Sequence, residues 1–193
     1  MKKVGVLSLQ GDFDAHSKAV ERAGAHSAPV RSAADLEGLD GLIIPGGEST
    51  TMLKLLHEEN LMEPLREFGR RRPIFGTCAG AILLANEVSS PAQESLGLID
   101  IGVERNAYGR QVDSRIASVT PESDFQSRTH PGDMEAVFIR APIIRRVGNG
   151  AQVLVRYHGD PVLVEQGQHL VATFHPELSS DPRVHELFLQ KLG

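Results

Sequence analysis

The chain of 193 residues has one cysteine, Cys78, and its surroundings read Gly76-Thr77-Cys78-Ala79-Gly80. The pentapeptide follows a short apolar run, Ile74-Phe75, and precedes a helical pattern through Ile82, Leu83 and Leu84. A nucleophile between two glycines in that setting has the form of a nucleophile elbow, where a strand turns sharply into a helix. The turn holds the nucleophile in strained backbone geometry, and small flanking residues let it pack. The thiol then lies at a helix start, where the dipole and free N–H groups favour thiolate. A free cysteine is on its own more often a small core residue. The glycine pair and the strand-to-helix pattern favour the chemical reading.

A thiolate nucleophile needs a proton shuttle. Eight histidines are available, and most are expected at the surface. His175 differs because it ends the apolar run Leu170 to Phe174 and opens His175-Pro176-Glu177. In a doubly wound sheet, catalytic groups gather beyond the carboxyl ends of the strands, so the sequence predicts that His175 meets Cys78 there. Proline stiffens the turn, which lets Glu177 reach round to hold the imidazole. The three residues then form a nucleophile, a base and an orienter. A third segment, Pro45-Gly46-Gly47-Glu48-Ser49, follows the apolar run Gly41 to Ile44. Its glycines allow backbone N–H groups to approach a ligand closely, as an oxyanion hole requires. It lacks the Lys-Ser/Thr pair of a phosphate-binding loop. A plain strand-to-helix turn capped by Ser49 is compatible with the same residues.

The elements that position these groups alternate in the first half. Lys3 to Leu9 reads as a buried strand, Phe13 to Ala23 as a helix with Ala19, Val20 and Ala23 on one face, and Ser27 to Val30 as a weak strand. Met52, Leu55 and Leu56, then Leu61, Leu65 and Phe68, recur at helical spacing. This pitch predicts an α/β fold: a three-layer, doubly wound, mostly parallel sheet with helices on both faces. The second half is richer in strands, at Leu98–Val103, Arg115–Val119, Ala136–Arg140, Val153–Tyr157, Val162–Glu165 and Leu170–Phe174. A last helix starts near Asp181-Pro182, with Val184, Leu187 and Phe188 as its buried stripe. The polar stretch Pro121 to Asp133 reads as an exposed, mobile loop. The length fits one compact domain over 1–193.

Composition narrows the function further. Hydrophobic residues make up 40% and charged residues 23%, an ordinary globular balance. Only 5% is aromatic, so the core is expected to be built mainly from Val, Leu, Ile and Ala. The net charge is -5, and the densest basic run, Arg70-Arg71-Arg72, suits a solvated helix end. Nucleic-acid binding by counterion release has no footing in such a chain. A lone cysteine permits no internal disulfide and suits a reducing, cytoplasmic setting. No stretch approaches membrane-spanning length.

With these residues in place the chain resembles the class I, or triad, glutamine amidotransferases. More narrowly it is similar to the glutaminase subunits of pyridoxal 5′-phosphate synthases. The likeness runs over nearly the whole chain. It rests on Leu9-Gln10-Gly11, Pro45-Gly46-Gly47-Glu48-Ser49-Thr50-Thr51, Phe75 to Gly80, Val103-Glu104-Arg105-Asn106, Gly109 to Ser114, Phe138-Ile139-Arg140-Ala141-Pro142 and Phe174 to Glu177.

The resemblance implies that Cys78 attacks the side-chain amide of glutamine. The N–H groups of Gly47 and Ala79 form the oxyanion hole, His175 protonates departing ammonia and then activates water, and Glu177 orients His175. Gly47, Glu48, Ser49, Arg105, Ile139 and Arg140 match the family's glutamine-contacting positions. Arg105 suits the α-carboxylate, because guanidinium pairs bidentately with carboxylate. Gln10 matches a segment linked to the synthase contact. The implied partner is a synthase (lyase) subunit in a large ring-shaped assembly, which receives the ammonia. No cofactor and no metal is implied. Relatives usually carry Gly-Cys-Ser where this chain has Val171-Ala172-Thr173, and the stretch Pro121 to Asp133 is longer here. A glutaminase serving another synthase, another cysteine hydrolase of the fold, or a scaffold subunit without chemistry are the competing readings.

Overall fold

The computed structural model describes residues 1–107 and 114–193. Its centre is a seven-stranded sheet. The strands in chain order are β1 (Lys3–Leu7), β2 (His26–Val30), β3 (Gly41–Ile44), β4 (Ile74–Thr77), β10 (Gln152–Tyr157), β11 (Asp160–Gln166) and β12 (His169–Ala172). Across the sheet they run β10-β11-β12-β4-β3-β1-β2. The strands from β12 to β2 are parallel, whereas β11 and β10 join antiparallel at one edge. The doubly wound reading therefore holds, with an antiparallel extension.

Central strands covered on both sides must be apolar at every position. In β3 and β4 the alternation splits neighbours between the two faces. Leu42, Ile44 and Ile74 join one cluster with Met52, Leu56, Leu65 and Phe68. Ile43 and Phe75 join the other with Val20, Val184, Leu187 and Phe188. The helices follow from this division. Helices α2 (Ser49–Glu58), α3 (Met62–Arg71) and α4 (Ala79–Leu84) cover the first face. Helices α1 (Phe13–Arg22) and α6 (Arg183–Gln190) cover the second. The arginine run ends α3 as expected, with Arg70 and Arg71 both turned to Glu67.

Two smaller sheets sit beside the large one. The first has order β5-β6-β9, with β5 (Ala85–Ser89), β6 (Ile99–Glu104) and β9 (Ile143–Val147). The second is a ribbon of β7 (Ser114–Val119) and β8 (Met134–Ile139). Strands β5 and β9 were not expected from the sequence. β5 begins at the residue after α4 ends, with no glycine or proline between them to mark the change.

The segment 121–133 corrects the sequence expectation of an exposed loop. It contains a helix, α5 (Ser123–Arg128), whose Phe125 is fully buried in the second core cluster. Arg183 is itself buried and donates to the carbonyls of His130, Gly132 and Asp133, which fastens the end of the segment. Phe125→Ala is therefore expected to lower the free energy of unfolding by about 3 kcal/mol or more in urea titrations, as for a buried aromatic. A change within about 0.5 kcal/mol, the usual surface value, would mean that the segment is loose after all.

Candidate active site

Four strand ends converge at one edge of the large sheet, and their order explains the site. β4 delivers Cys78, and its neighbours are β12, which leads to His175, and β3, which leads to Gly46 and Gly47. The nucleophile candidate thus lies between the candidate base and the candidate oxyanion loop. Beyond β3, β1 leads to Gln10 and Gly11.

The elbow is built as its sequence predicts. Cys78 has φ 51° and ψ -105°, a backbone that L-residues rarely adopt, and it directly precedes α4. Its N–H donates to the Ala172 carbonyl at 2.8 Å, and its carbonyl accepts from Ile82 N–H at 3.2 Å, so the turn is held from both sides. The flanking glycines are required sterically. A Cβ on Gly76 would come within 2.5 Å of the Gly80 backbone, and one on Gly80 would run into the Ile44 carbonyl.

His175 is fastened by its own N–H, which donates to Val137 O at 2.8 Å across to β8. Its ring lies beside the Cys78 side chain, the two flanking the space above Gly46, and Nδ1 lies 2.6 Å from Glu177 Oε1 on the other side. Pro176 opens a short 3-10 turn, Pro176–Leu178, which folds Glu177 back under the imidazole. Cys78, His175 and Glu177 are 8%, 7% and 5% exposed, so the three groups meet in a nearly dry setting.

Burial alone would make His175 harder to charge. The neighbouring Cys78 and Glu177 outweigh that and hold its pKa up at about 10. Burial likewise works against ionised Glu177, but the close approach of His16 and the bond to His175 bring it down to about 2.

An open cleft of about 490 Å³ lies above Cys78 and His175, a size that suits a small-molecule ligand. Gly47, Glu48, Ser49, Arg105, Ile139 and Arg140 all line it. Gly47 has φ +145°. Ser49 is buried and points its hydroxyl at Gln93 Oε1, 3.4 Å away. Glu48, rather than Ser49, caps α2: its carboxylate accepts from Thr50 N, Thr51 N and Thr51 Oγ1 at 3.1, 2.6 and 2.7 Å. This corrects the expected cap and leaves Glu48 to face a ligand mainly through its backbone.

Arg105 is carried by the end of β6. It donates to Thr50 Oγ1 at 2.6 Å and to Pro91 O at 3.3 Å, while its Nε is buried without a partner. Ile139 and Arg140 come from the end of β8, and Arg140 has φ 45°. Ala79 is buried at the first position of α4, where a helix amide has no intrahelical acceptor. Gln10 does not line the cleft; its Nε2 donates to the Glu48 carbonyl at 3.2 Å. Residues 109–113 of the segment compared above lie outside the described residues.

Sequence reasoning placed most histidines at the surface, and this is corrected: His16, His169, His175 and His185 are all buried. Two of them belong to the site's foundation. His16 Nε2 lies 3.1 Å from both Glu177 Oε2 and Thr77 Oγ1, and its Nδ1 lies 3.0 Å from His185 Nε2. A signal was available. His16 stands three and four residues before Ala19 and Val20, on the apolar stripe of α1, and His185 sits within the stripe of α6.

An elbow cysteine on a central parallel strand, facing a His–Glu pair from the adjoining strand, defines a class of protein, the class I glutamine amidotransferases. Within it, the chain belongs to the SNO glutamine amidotransferase family, whose model matches residues 6–193. A Solibacter usitatus protein named pyridoxal 5′-phosphate synthase subunit PdxT is 67% identical over all of both chains. A protein of the same name from Koribacter versatilis is 55% identical over 97% of this chain and 94% of its own. A crystal structure of a glutamine amidotransferase, 47% identical and covering 98% of both chains, superposes with a TM-score of 0.89.

The two shifted pKa values make stability depend on pH in opposite directions. Glu177, lowered from 4.5 to about 2, contributes stability that is present above about pH 4.5 and lost as pH falls toward 2. His175, raised from 6.5 to about 10, contributes stability that is complete below about pH 6.5 and lost as pH rises toward 10. Thermal melts across this range are expected to show both slopes in the wild type. Glu177→Gln should flatten the acid slope and weaken the alkaline one. Unchanged slopes in that variant would show that the pair is not coupled.

Proposed function

We propose that the chain is the glutaminase subunit of a pyridoxal 5′-phosphate synthase. It hydrolyses L-glutamine to glutamate and ammonia and passes the ammonia to its synthase partner. The observation that carries the chemical half is the Cys78–His175–Glu177 line, buried at the floor of the cleft. The name shared by relatives at 67% and 55% identity supports the biosynthetic half.

In this reading the Cys78 thiolate, paired with the His175 imidazolium, attacks the glutamine side-chain carbonyl. Negative charge then develops on that oxygen. The amides of Gly47, from the loop after β3, and of Ala79, from the elbow itself, are the donors for it. His175 gives its proton to the leaving nitrogen, and ammonia departs from a thioester on Cys78. The same imidazole, now neutral, takes a proton from water, and hydroxide attack releases glutamate. Glu177 keeps Nδ1 protonated and the ring in place throughout.

Arg105 receives the α-carboxylate, and its fixed bonds to Thr50 and Pro91 preset the guanidinium. Glu48, Ser49, Ile139 and Arg140 complete the glutamine site. Residues 1–193 work as one glutaminase domain. Gln10, bonded to the Glu48 carbonyl next to Gly47, offers a route by which partner docking reaches the oxyanion loop.

We place the partner as a synthase subunit in a ring-shaped assembly in the cytoplasm. Channelling has a chemical reason, since free ammonia in neutral water is mostly protonated and loses its nucleophilicity. No described helix is long and apolar enough to cross a membrane.

Ammonia release from glutamine is the direct test, measured with and without the synthase subunit. Activity is expected mainly with the partner present. Cys78→Ala should reduce it by roughly a thousandfold or more, as loss of a nucleophile does elsewhere. Arg105→Met should act chiefly on KM, because it removes ground-state binding. Full activity in Cys78→Ala, or an absence of glutamine hydrolysis with the partner bound, would overturn the reading.

A further inference from the structure

Glu177 has two carboxylate oxygens, and only Oε1 serves His175. Oε2 is buried, 3.1 Å from His16 Nε2, and the approach is too oblique for a well-aligned hydrogen bond. His16 is itself completely buried on α1 and does not line the cleft. A fully buried imidazole beside an ionised carboxylate calls for an explanation, because each of its nitrogens must find a partner.

The partners define the tautomer. A carboxylate oxygen can only accept, so Nε2 is the protonated nitrogen of His16: it hydrogen-bonds Thr77 Oγ1 at 3.1 Å and stands at the same distance from Glu177 Oε2, to which it presents its positive edge. His16 Nδ1 then faces His185 Nε2 at 3.0 Å. Phe75 packs edge-on against both rings, which seals them from water.

We propose that His16, braced by His185, is a positioning residue for the reaction: it holds the outer oxygen of Glu177, so that the inner oxygen keeps His175 aligned on Cys78. The proposal rests on the glutaminase reading for its kinetic consequence. Its structural content is a five-membered line, Cys78–His175–Glu177–His16–His185, reaching from the cleft to α6.

The charged and titratable groups facing His16 are few. Glu177 approaches from the 3-10 turn and His185 from α6, with His175 beyond Glu177. The Thr77 hydroxyl approaches from β4, and Arg22 on α1 adds positive charge near His185. Burial, reinforced by His16 and Arg22, lowers the His185 pKa to about 3, so His185 is a neutral brace.

Two substitutions separate the contacts of His16. His16→Gln puts an amide near the position of Nε2 and keeps a donor to Glu177. His16→Asn puts its amide near Nδ1, keeping His185 but abandoning Glu177. Both are assayed with the synthase subunit bound, and the pH profile of Cys78 alkylation by iodoacetamide is read by mass on the isolated subunit. The sole thiol gives one unambiguous adduct, and this readout does not depend on glutamine being the substrate.

His16→Asn is expected to lower kcat about tenfold or more, with KM within about twofold, because a close contact with a buried charge is lost at a position that does not line the cleft. Its alkylation midpoint should move to higher pH, while His16→Gln stays within about threefold of wild-type kcat. Wild-type kcat and midpoint in His16→Asn, or equal losses in both variants, would overturn the proposal. If His16→Asn fails to fold, His185→Phe decides: it removes the brace, and wild-type kcat and midpoint in it overturn the proposal equally. A wild type that never hydrolyses glutamine yet shows the shifted midpoint in His16→Asn would defeat the substrate assignment and leave the positioning role standing.

Discussion

An ionised carboxylate inside a protein is costly unless it is paired and hydrogen-bonded. Glu177 is one, and the rest of the site is arranged around keeping it charged. Its contact with His175, at 2.6 Å, fixes the ring and its protonation. The ring in turn makes a buried thiol useful as a nucleophile. Take the carboxylate away and His175 loses its stabilising charge, and with it the base that the proposed reaction assigns to Cys78. The elbow, the cleft and the oxyanion loop would keep their shapes but lose their chemistry.

The fold meets this requirement through strand order. Placing β4 between β12 and β3 puts the sulfur, the candidate base and the candidate oxyanion loop on adjacent strand ends. Parallel strands are needed for this, since only then do successive carboxyl ends share an edge. The antiparallel strands β11 and β10 lie beyond β12 and contribute no group to the line. The ribbon of β7 and β8 has a more direct part, because the Val137 carbonyl anchors His175 and the end of β8 carries Ile139 and Arg140 to the cleft rim.

Much of this was legible in the sequence, for identifiable reasons. The elbow was readable because its sterics demand glycine on both sides of the nucleophile, as the close approaches at Gly76 and Gly80 bear out. The central strands were readable because burial on two faces leaves an uninterrupted apolar run. The parts that were missed lacked such a mark. Segment 121–133 looks polar because a single side chain, Phe125, anchors it, and one anchor makes no periodicity. Strand β5, with Asn86 and Glu87 exposed, has little β propensity of its own and owes its form to pairing with β6. His16 and His185 were missed for the opposite reason. They sit on apolar stripes, where a histidine departs from the pattern, and the departure itself was the clue.

The line from Cys78 to His175 spans the chain in a way that bears on its synthesis. Strands β1 to β4, with the elbow thiol at their edge, are complete once the first 78 residues have left the ribosome. The imidazole, its carboxylate and His185 all come roughly a hundred residues later, from His175 onward. A chain grows at roughly 5–20 residues per second, so several seconds separate the two events. During that interval the nascent protein holds a sulfur without its base. On the proposed reading, the thiol gains its base only once the strand leading to His175 lies beside β4.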